Sequence, residues 1–226
     1  EFDERTIRDE SSWRDSLLPK LREFLLNVPS EDGRIRLAIE AHATLAFAAG
    51  AVLDAKSGRL TELEQRSPVM KIWAPDDDTL SSASNGWVFS EHELDPDGSG
   101  TVCAVSLTRE TEGSVRQFLE ENPGHFRRLL VATLVGGASP RALTSGAHAN
   151  HLAEQLASKI AVDRVIDITA RRERYHLFIS APNAFTFYLG RQASLLKPLT
   201  LYEFDFDFQA DGSYRPSLSY PETTSV

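Results

Sequence analysis

Cysteine is nearly absent from the chain: Cys103 is the single one among 226 residues, so no intrachain disulfide can form. This is typical of a reducing compartment, and we expect a cytoplasmic protein. Long hydrophobic runs are also lacking, and no segment reaches the roughly 20 apolar residues that a membrane helix needs. The charged N-terminus has no signal-peptide character. Because the chain begins with Glu1-Phe2 rather than methionine, we expect it to be a piece of a longer protein.

Basic charge is scarce, with 24 lysines and arginines against 33 acidic residues, for a net charge of −9. Such a chain is a poor partner for long duplex DNA, although a local pocket can still hold a small anion. Residues 1–115 hold 12 basic and 22 acidic residues, whereas residues 116–174 hold 9 and 6. We interpret the basic segment as a solvated helix face plus a loop, with a partner or phosphate surface as the alternative. Its arginines are Arg127, Arg128, Arg141, Arg164, Arg171, Arg172 and Arg174.

Catalytic signatures are missing from the sequence. It contains no P-loop, no Rossmann glycine fingerprint and no Gly-x-Ser-x-Gly elbow. The run from Asp95 to Gly100 is similar to a calcium loop, but its twelfth position is Ser106 instead of glutamate, so we predict a hairpin turn. Asp205 and Asp207 alternate with phenylalanines, which indicates a strand with a solvent-facing acidic side. We therefore predict no catalytic residue, no metal and no cofactor.

Helix and strand patterns alternate along the chain, which predicts an α/β fold with a parallel or mixed sheet. The predicted strands are 35–41, 60–65, 69–73, 86–89, 101–108, 128–135, 175–180 and 199–205. The predicted helices are 11–27, 44–55, 112–121, 145–163 and 184–195.

One segment is repeated in the second half of the chain. A shift of 140 residues aligns 35–50 with 175–190, and it matches Phe47 with Phe187 and Gly50 with Gly190. A helix precedes each copy, so helix–strand–helix–strand occurs twice, and we predict a duplicated unit.

The duplication predicts where a ligand would bind. A strand that runs into a helix places the helix N-terminus at the carboxyl edge of the sheet, which favours anions. The two strand-to-helix turns are 40–44 and 180–184, and strand 101–108 should end at the same edge. We expect one shared pocket there.

The motifs of both halves resemble the SAVED family. His176-Leu177-Phe178-Ile179-Ser180-Ala181-Pro182, Leu189-Gly190-Arg191 and Leu201-Tyr202-Glu203-Phe204-Asp205 are similar to its C-terminal signature. Residues 41–50, followed by Lys56-Ser57-Gly58 and Gln65, are similar to its N-terminal one. The resemblance extends from about residue 14 to 220.

The resemblance implies two fused, pseudo-duplicated CARF-like units of Rossmann type. We divide the chain into a linker or remnant at 1–12, a first unit at 13–110 and a second at 111–226. It further implies a sensor of cyclic oligonucleotides in bacterial anti-phage defence of the CBASS type, with a cGAMP-like dinucleotide as the first guess and a trinucleotide also considered. Such sensors are fused to an effector, and we expect a nuclease, a TIR domain or a protease outside this chain. Ligand binding is expected to produce a homo-oligomer, without membrane contact.

A cyclic oligonucleotide needs cations, hydroxyls and flat surfaces from the protein. Lys56 could bind a phosphate or only complement a helix end, and Trp73 could stack on a base or lie in the core. Phe185 is likewise a stacking plane or a core residue. The full predicted set is His42, Thr44, Lys56, Trp73, Ser106, Thr108, Arg109, Ala181, Pro182, Asn183 and Phe185.

Three alternatives stay open beside the sensor. One is a ring nuclease that degrades the messenger, although the sequence shows no convincing general base. Another is a sensor of CRISPR-linked cyclic oligoadenylate. The last is a plain oligomerisation or scaffold domain.

Overall fold

The structure is a computed structural model, and it describes residues 10–30, 32–66, 69–77, 86–123, 125–168, 170–205 and 214–221. The strands are β1 Arg34–Leu37, β2 Leu60–Gln65, β3 Lys71–Trp73, β4 Trp87–Glu93, β5 Thr101–Ser106, β6 Arg128–Leu134, β7 Tyr175–Ser180, β8 Leu199–Phe204 and β9 Tyr214–Tyr220. The helices are α1 Glu10–Ser12, α2 Leu18–Asn27, α3 Ala43–Val52, α4 Glu112–Glu121, α5 Gly146–Ile166, α6 Asn183–Arg191 and α7 Ala193–Leu196. A π-helical turn, Trp13–Leu17, joins α1 to α2, and short 3-10 turns occupy Ala55–Ser57 and Ala170–Arg172.

The strands form two mixed sheets. The smaller sheet has the order β1-β2-β3, with β1 and β2 parallel and β3 antiparallel. The larger sheet has the order β4-β6-β5-β7-β8-β9, with a parallel centre and an antiparallel strand at each edge. The predicted α/β class with mixed sheets is confirmed.

The two repeated segments fold with the same local topology. In the first, β1, α3 and β2 form a strand–helix–parallel-strand unit, and β3 pairs antiparallel with β2. In the second, β7, α6 and β8 do the same, and β9 pairs antiparallel with β8. This common order is what the predicted duplication requires.

Helices α3 and α6 pack directly against each other, and glycines allow their close approach. A Cβ atom on Gly50 would overlap the carbonyl group of Phe187, and one on Gly190 would overlap that of Phe47. The contact is therefore reciprocal between the residue pairs that the 140-residue shift matches. Only glycine lets the two backbones lie this close. The reciprocity supports the duplication, which stays a prediction about the origin of the chain.

The predicted boundary between units, at residues 110 and 111, runs through the larger sheet. Strands β4 and β5 precede this boundary, yet they pair with β6 and β7, which follow it. By hydrogen bonding, β1 to β3 stand apart from the other six strands.

Strand β5 shows how the core is arranged, because all six of its residues are buried. Cys103 and Val105 face the main core, which contains the α3–α6 pair. Val102 and Ala104 face a second cluster on the other side of the sheet, together with Phe118 of α4. Strands covered on both faces are expected to be apolar throughout.

The prediction of a solvent-facing acidic side is wrong for Asp205. This residue is only 3% exposed, and its carboxylate lies 3.1 Å from the guanidinium of Arg215. The partner comes from β9, a strand that the sequence interpretation did not include. Asp207 lies outside the described residues.

The run from Asp95 to Gly100 forms a turn, as predicted, and the Asp95 side chain accepts a hydrogen bond from the backbone of Asp97 at 2.9 Å. The hairpin part of that prediction is wrong, because β6 lies between β4 and β5 in the sheet.

Candidate functional site

The strand-to-helix turns of the two repeated units meet at the carboxyl ends of β1 and β7. The side-chain amide of Asn183 donates hydrogen bonds to the carbonyl oxygens of Ile39, at 3.1 Å, and Ala41, at 2.9 Å. Asn183 therefore fixes the start of α6 next to the turn that leads into α3. Carboxyl edges of this kind are where open α/β sheets bind ligands.

A cavity of about 300 Å³ lies at this edge, and we call it the carboxyl-edge cavity. It is lined by three parts of the chain: the end of β2 with β3, the loop between β6 and α5, and the turn before α6. The lining residues are Gln65, Val69, Lys71, Trp73, Pro140, Arg141, Leu143, Thr144 and Pro182. Its size is at the lower end of small-molecule pockets.

The cavity combines two cations with an aromatic ring. Lys71 and Arg141 are exposed, and within the described ranges neither side-chain cation has a hydrogen-bonding or ion-pair partner. Trp73 is buried, and its indole Nε1 has no hydrogen-bond partner among the residues that the structure describes. A buried donor without a partner costs about 1–3 kcal/mol, so it marks a place where an acceptor would be stabilising. This combination suits an anion that carries a flat ring.

Three helix N-termini are already occupied by carboxylates of the chain itself. Glu203 accepts a hydrogen bond from the backbone of Thr44 at the start of α3, at 2.6 Å. Asp77 accepts from the backbone of Gly146 and Ala147 at the start of α5, each at 2.9 Å. Glu110 does the same at the start of α4. At these three helix N-termini, a carboxylate of the chain itself therefore takes the role that we expected for a bound anion.

Helix α6 differs from these three helices. Its N-cap residue is Pro182, which lines the cavity, and no side chain in the described part of the chain caps this end of the helix. The N-terminus of α6 therefore adds a favourable field for an anion in the cavity.

His42, at the start of α3, contacts two other side chains of the chain, those of Glu203 and Trp13. Its Nδ1 lies 3.6 Å from the Glu203 carboxylate, and its ring packs edge-on against Trp13 at a centroid distance of 5.7 Å. Hydrogen bonding to Glu203 raises the pKa of His42, against the lowering effect of burial. His42 therefore joins α3 to β8.

The residues predicted at the end of β5 and just after it have internal partners or lie away from the cavity. The Ser106 hydroxyl is buried and contacts the hydroxyl of Thr111 at 2.8 Å. The Thr108 hydroxyl contacts that of Ser180 at 2.9 Å. Arg109 is exposed and does not line the cavity.

The remaining predicted residues are buried in the core, lie at the cavity or lie far from it. The Thr44 hydroxyl is buried against Ser217 at 2.6 Å, and Phe185 is fully buried in the core, as its alternative interpretation had it. Ala181 is half-buried beside Pro182. Lys56 lies in the turn before β2, at the opposite end of that strand from the cavity. Of the predicted set, the cavity brings together Trp73 and Pro182.

Most of the basic segment is structural. Arg127 forms an ion pair with Glu173 at 2.6 Å, and the buried Arg164 donates to the carbonyl oxygen of Pro198 at 2.9 Å. The interpretation as a solvated face is wrong for Arg164, because its helix packs that side chain against the start of β8. Of the seven arginines, Arg141 lines the cavity.

Lys71, Arg141, Thr144 and Asp77 were not predicted as site residues. Lys71 lies two positions before Trp73 in a predicted strand, so the two side chains were expected on the same face, and Lys71 could have been predicted together with Trp73. Arg141 and Thr144 belong to a loop whose course no local pattern specifies.

Within the described parts of the chain, no helix is long and apolar enough to cross a membrane. The same parts contain no group of three or more His, Cys, Asp or Glu side chains that could hold a metal ion.

Comparison with known proteins adds the family. A curated relative, CD-NTase-associated protein 4 of Enterobacter hormaechei subsp. hoffmannii, is 32% identical over 207 residues, which are 91% of this chain and 40% of that protein. The Cap4 SAVED/CARF-domain receptor of Acinetobacter baumannii, solved with the cyclic trinucleotide 3'3'3'-cAAA, superposes with a TM-score of 0.70 at 18% identity, over 93% of this chain and 44% of that one. The corresponding receptor of Moraxella osloensis superposes with a TM-score of 0.61 at 17% sequence identity, over 92% of this chain and 42% of that one.

At such identities the solved structures establish the fold, and this chain spans less than half of the relatives it matches. The family match itself covers residues 17–219, nearly all of the chain, and its description is "SMODS-associated and fused to various effectors sensor domain". The chain therefore belongs to the SAVED family of sensor domains, as its signature motifs indicated.

Proposed function

We propose that this chain senses a cyclic oligonucleotide by binding it in the carboxyl-edge cavity, with a cyclic trinucleotide as the ligand to test first. The observation that carries the proposal is the position of Lys71, Arg141 and Trp73 around one cavity at the carboxyl edge. The A. baumannii receptor, whose fold this chain shares, was solved with cyclic trinucleotides. These ligands support a trinucleotide over the dinucleotide guessed from the sequence.

Charge supports this ligand despite the acidity of the chain. A cyclic trinucleotide has one negative charge on each of its three phosphodiesters. Lys71 and Arg141 supply two cations that no described side chain neutralises. The uncapped N-terminus of α6 adds a favourable partial charge. Because both cations are exposed, the affinity should fall as the salt concentration rises.

Trp73 and Pro182 are the proposed contacts for a base. Both residues line the cavity, Trp73 from β3 of the smaller sheet and Pro182 from the turn after β7 of the larger sheet. Stacking of a base on an aromatic side chain contributes about 1–3 kcal/mol. At about 300 Å³ the cavity accommodates a part of the ring, so we infer that the rest of the ligand extends along the carboxyl edge.

The cavity favours sensing over degradation of the messenger. Among the described residues that line it there is no aspartate, glutamate, histidine or cysteine. A ring nuclease needs a group that activates a nucleophile beside the phosphate. Chromatography of the ligand after incubation should therefore return it intact.

Titration calorimetry with cyclic triadenylate tests the site. We expect Arg141→Gln to weaken binding by about 10- to 150-fold, the range for a hydrogen bond to a charged group. Lys56→Gln is the matched control, because it removes an exposed cation at the other end of β2. Loss of binding with Lys56→Gln and wild-type affinity with Arg141→Gln would move the site away from the cavity. Absence of heat with cyclic di-, tri- and tetranucleotides alike would refute the sensor.

We further propose that binding activates an effector outside this chain, a nuclease first, in an anti-phage system of the CBASS type, by assembling copies of the sensor. The relatives are more than twice as long as this chain, which leaves room for such an effector in them. Light scattering with and without ligand tests the assembly. An unchanged mass with a saturated cavity would count against it.

A further inference from the structure

Two neighbouring strands at the centre of the larger sheet lead into helices on opposite faces. Strand β5 leads into α4, whose Val115 and Phe118 pack in the second cluster, whereas β7 leads into α6, which packs in the main core. The loops that leave the two carboxyl ends therefore diverge. In open α/β sheets such a switch point is where ligands bind. We call the gap between residues 107–109 and residues 181–182 the switch crevice.

Hydrogen bonds close the floor of the switch crevice. The backbone N–H groups of Leu107 and Thr108 both donate to the carbonyl oxygen of Ser180, at 2.9 and 3.0 Å. The hydroxyls of Thr108 and Ser180 contact each other at 2.9 Å. The two loops are thus fixed to each other, and they diverge directly after these bonds, at Arg109 on one side and Ala181 on the other.

The switch crevice is tied to both larger-sheet loops that line the carboxyl-edge cavity. Pro182, which lines the cavity, comes two residues after the carbonyl group at the crevice floor. On the other side of β5, the backbone N–H of Ser139 donates to the carbonyl oxygen of Leu107 at 2.8 Å. Arg141, which also lines the cavity, comes two residues after Ser139. Because two residues span at most about 7 Å, the end of β5 continues the edge on which the cavity lies.

Arg109 supplies an unpaired cation at this point of the edge. Its side chain is exposed, and among the described residues it has no ion-pair or hydrogen-bonding partner. The next residue is Glu110, whose carboxylate accepts hydrogen bonds from the backbone of Glu112 and Gly113 at the start of α4. That carboxylate is therefore held by α4 and leaves the charge of Arg109 available to a ligand.

The number of cations matches the number of phosphates in a cyclic trinucleotide when Arg109 is included. Lys71 and Arg141 line the cavity, whereas the trinucleotide has three phosphodiesters and a cyclic dinucleotide has two. We propose that Arg109 binds the third phosphate of the ring and thereby makes the site selective for a trinucleotide over a dinucleotide. This role rests on the sensor function proposed above, and it directs the ligand from the cavity past Pro182 into the switch crevice. Arginine suits it, because a planar guanidinium holds a phosphate by two parallel hydrogen bonds.

Titration calorimetry of the 226-residue chain with cyclic triadenylate and cyclic diadenylate tests the role of Arg109. Arg109→Gln should weaken trinucleotide binding about tenfold, at the lower end of the range for a hydrogen bond to a charged group, because the side chain is exposed. Its affinity for the dinucleotide, measured by displacement where direct titration is too weak, should stay within about twofold of the wild type. Arg141→Gln should weaken the binding of both ligands instead.

Salt dependence gives a second readout that needs the trinucleotide alone. Loss of one phosphate contact in Arg109→Gln should lower the slope of log affinity against log salt concentration by roughly one. Arg109→Lys keeps the charge without the planar fork, so it should keep the slope and recover part of the affinity. Arg172→Gln is the matched control, since Arg172 is an exposed arginine shortly before the amino end of β7, opposite the carboxyl edge.

The outcomes distinguish the role of Arg109 from the sensor function itself. Wild-type affinity of Arg109→Gln for the trinucleotide, together with weakened binding by Arg141→Gln, overturns the role of Arg109 and leaves the sensor in place. An equal loss with both ligands also overturns it, because Arg109 then contacts a part that the two rings share. Absence of trinucleotide binding by the wild-type chain refutes the sensor and the role of Arg109 together.

Discussion

Adding one methyl group at the crossing of α3 and α6 should destabilise the fold, although it improves helix propensity. Alanine is about 1 kcal/mol better than glycine within a helix. At Gly50 or Gly190, however, the new Cβ would overlap a backbone carbonyl group, of Phe187 or Phe47 respectively. Backbone cannot rotate away as a flexible side chain can, so the two helices must separate.

The free-energy cost of separating the helices decides whether the substitution lowers or raises the stability of the fold. Overpacking of a tight contact typically costs about 1–3 kcal/mol, and a clash with backbone belongs at the upper end or beyond. After subtraction of the propensity gain, we expect Gly50→Ala and Gly190→Ala each to lower the free energy of unfolding by about 1–2 kcal/mol. Once the helices have moved apart for one methyl, the second has more room. The double variant should therefore lose less than the sum of the two single losses.

Urea unfolding followed by circular dichroism measures these free energies. The matched control is Gly113→Ala in α4, where the new Cβ would meet its nearest neighbour, a Glu110 side-chain oxygen, at an ordinary 3.7 Å. The control should be as stable as the wild type or more stable. Wild-type stability of Gly50→Ala and Gly190→Ala would refute the close reciprocal crossing.

Three further predictions concern buried or paired groups. Because Glu203 raises the pKa of His42, the contribution of this contact to stability is present below the unfolded-state pKa of the histidine and is lost as the pH rises through the folded-state pKa. The destabilisation caused by His42→Gln, measured by urea unfolding from about pH 5 to 8, should therefore be largest at the acidic end. Asp77→Ala should lower stability by about 1–2 kcal/mol in thermal or urea unfolding, since it removes the acceptor of the first two backbone N–H groups of α5 while the Ser145 cap stays in place; stability equal to the wild type would show that these two bonds contribute nothing. Burial raises the pKa of the Cys103 thiol to about 12, so a thiol reagent at pH 8 should label it only at the rate of unfolding, and fast labelling of the native chain would contradict its burial.

Local patterns predicted the helices and strands well wherever a single element determines them. Strands 60–65 and 175–180 and helix 112–121 have the predicted bounds. Strand β9 was missed because its sequence, Tyr-Arg-Pro-Ser-Leu-Ser-Tyr, contains a proline and little alternation, and because its position at the edge of the sheet depends on pairing with β8. Proline is tolerated at such an edge.

Of the residues predicted for the carboxyl edge, two line the proposed cavity, and most of the others have partners inside the chain. Trp73 and Pro182 line the cavity, whereas Ser106 and Thr108 bind neighbouring hydroxyls. A small polar residue at the end of a buried strand has two possible roles, as a ligand contact or as an internal cap. The sequence cannot distinguish them, because the partner depends on which strands are neighbours.

The same limit explains why helix N-termini were overrated as anion sites. Glu203 reaches the start of α3 from 159 residues away, and Asp77 reaches the start of α5 from 69 residues away. Each carboxylate accepts backbone hydrogen bonds that the helix start would otherwise offer to another anion, and neither pairing can be read from a local motif. Together with Glu110 at the start of α4, three carboxylates of the chain thus accept hydrogen bonds at helix N-termini. The start of α6, which no described side chain caps, lies beside the cations of the carboxyl-edge cavity, so a chain with a net charge of −9 can still present a local site for a polyanionic ring.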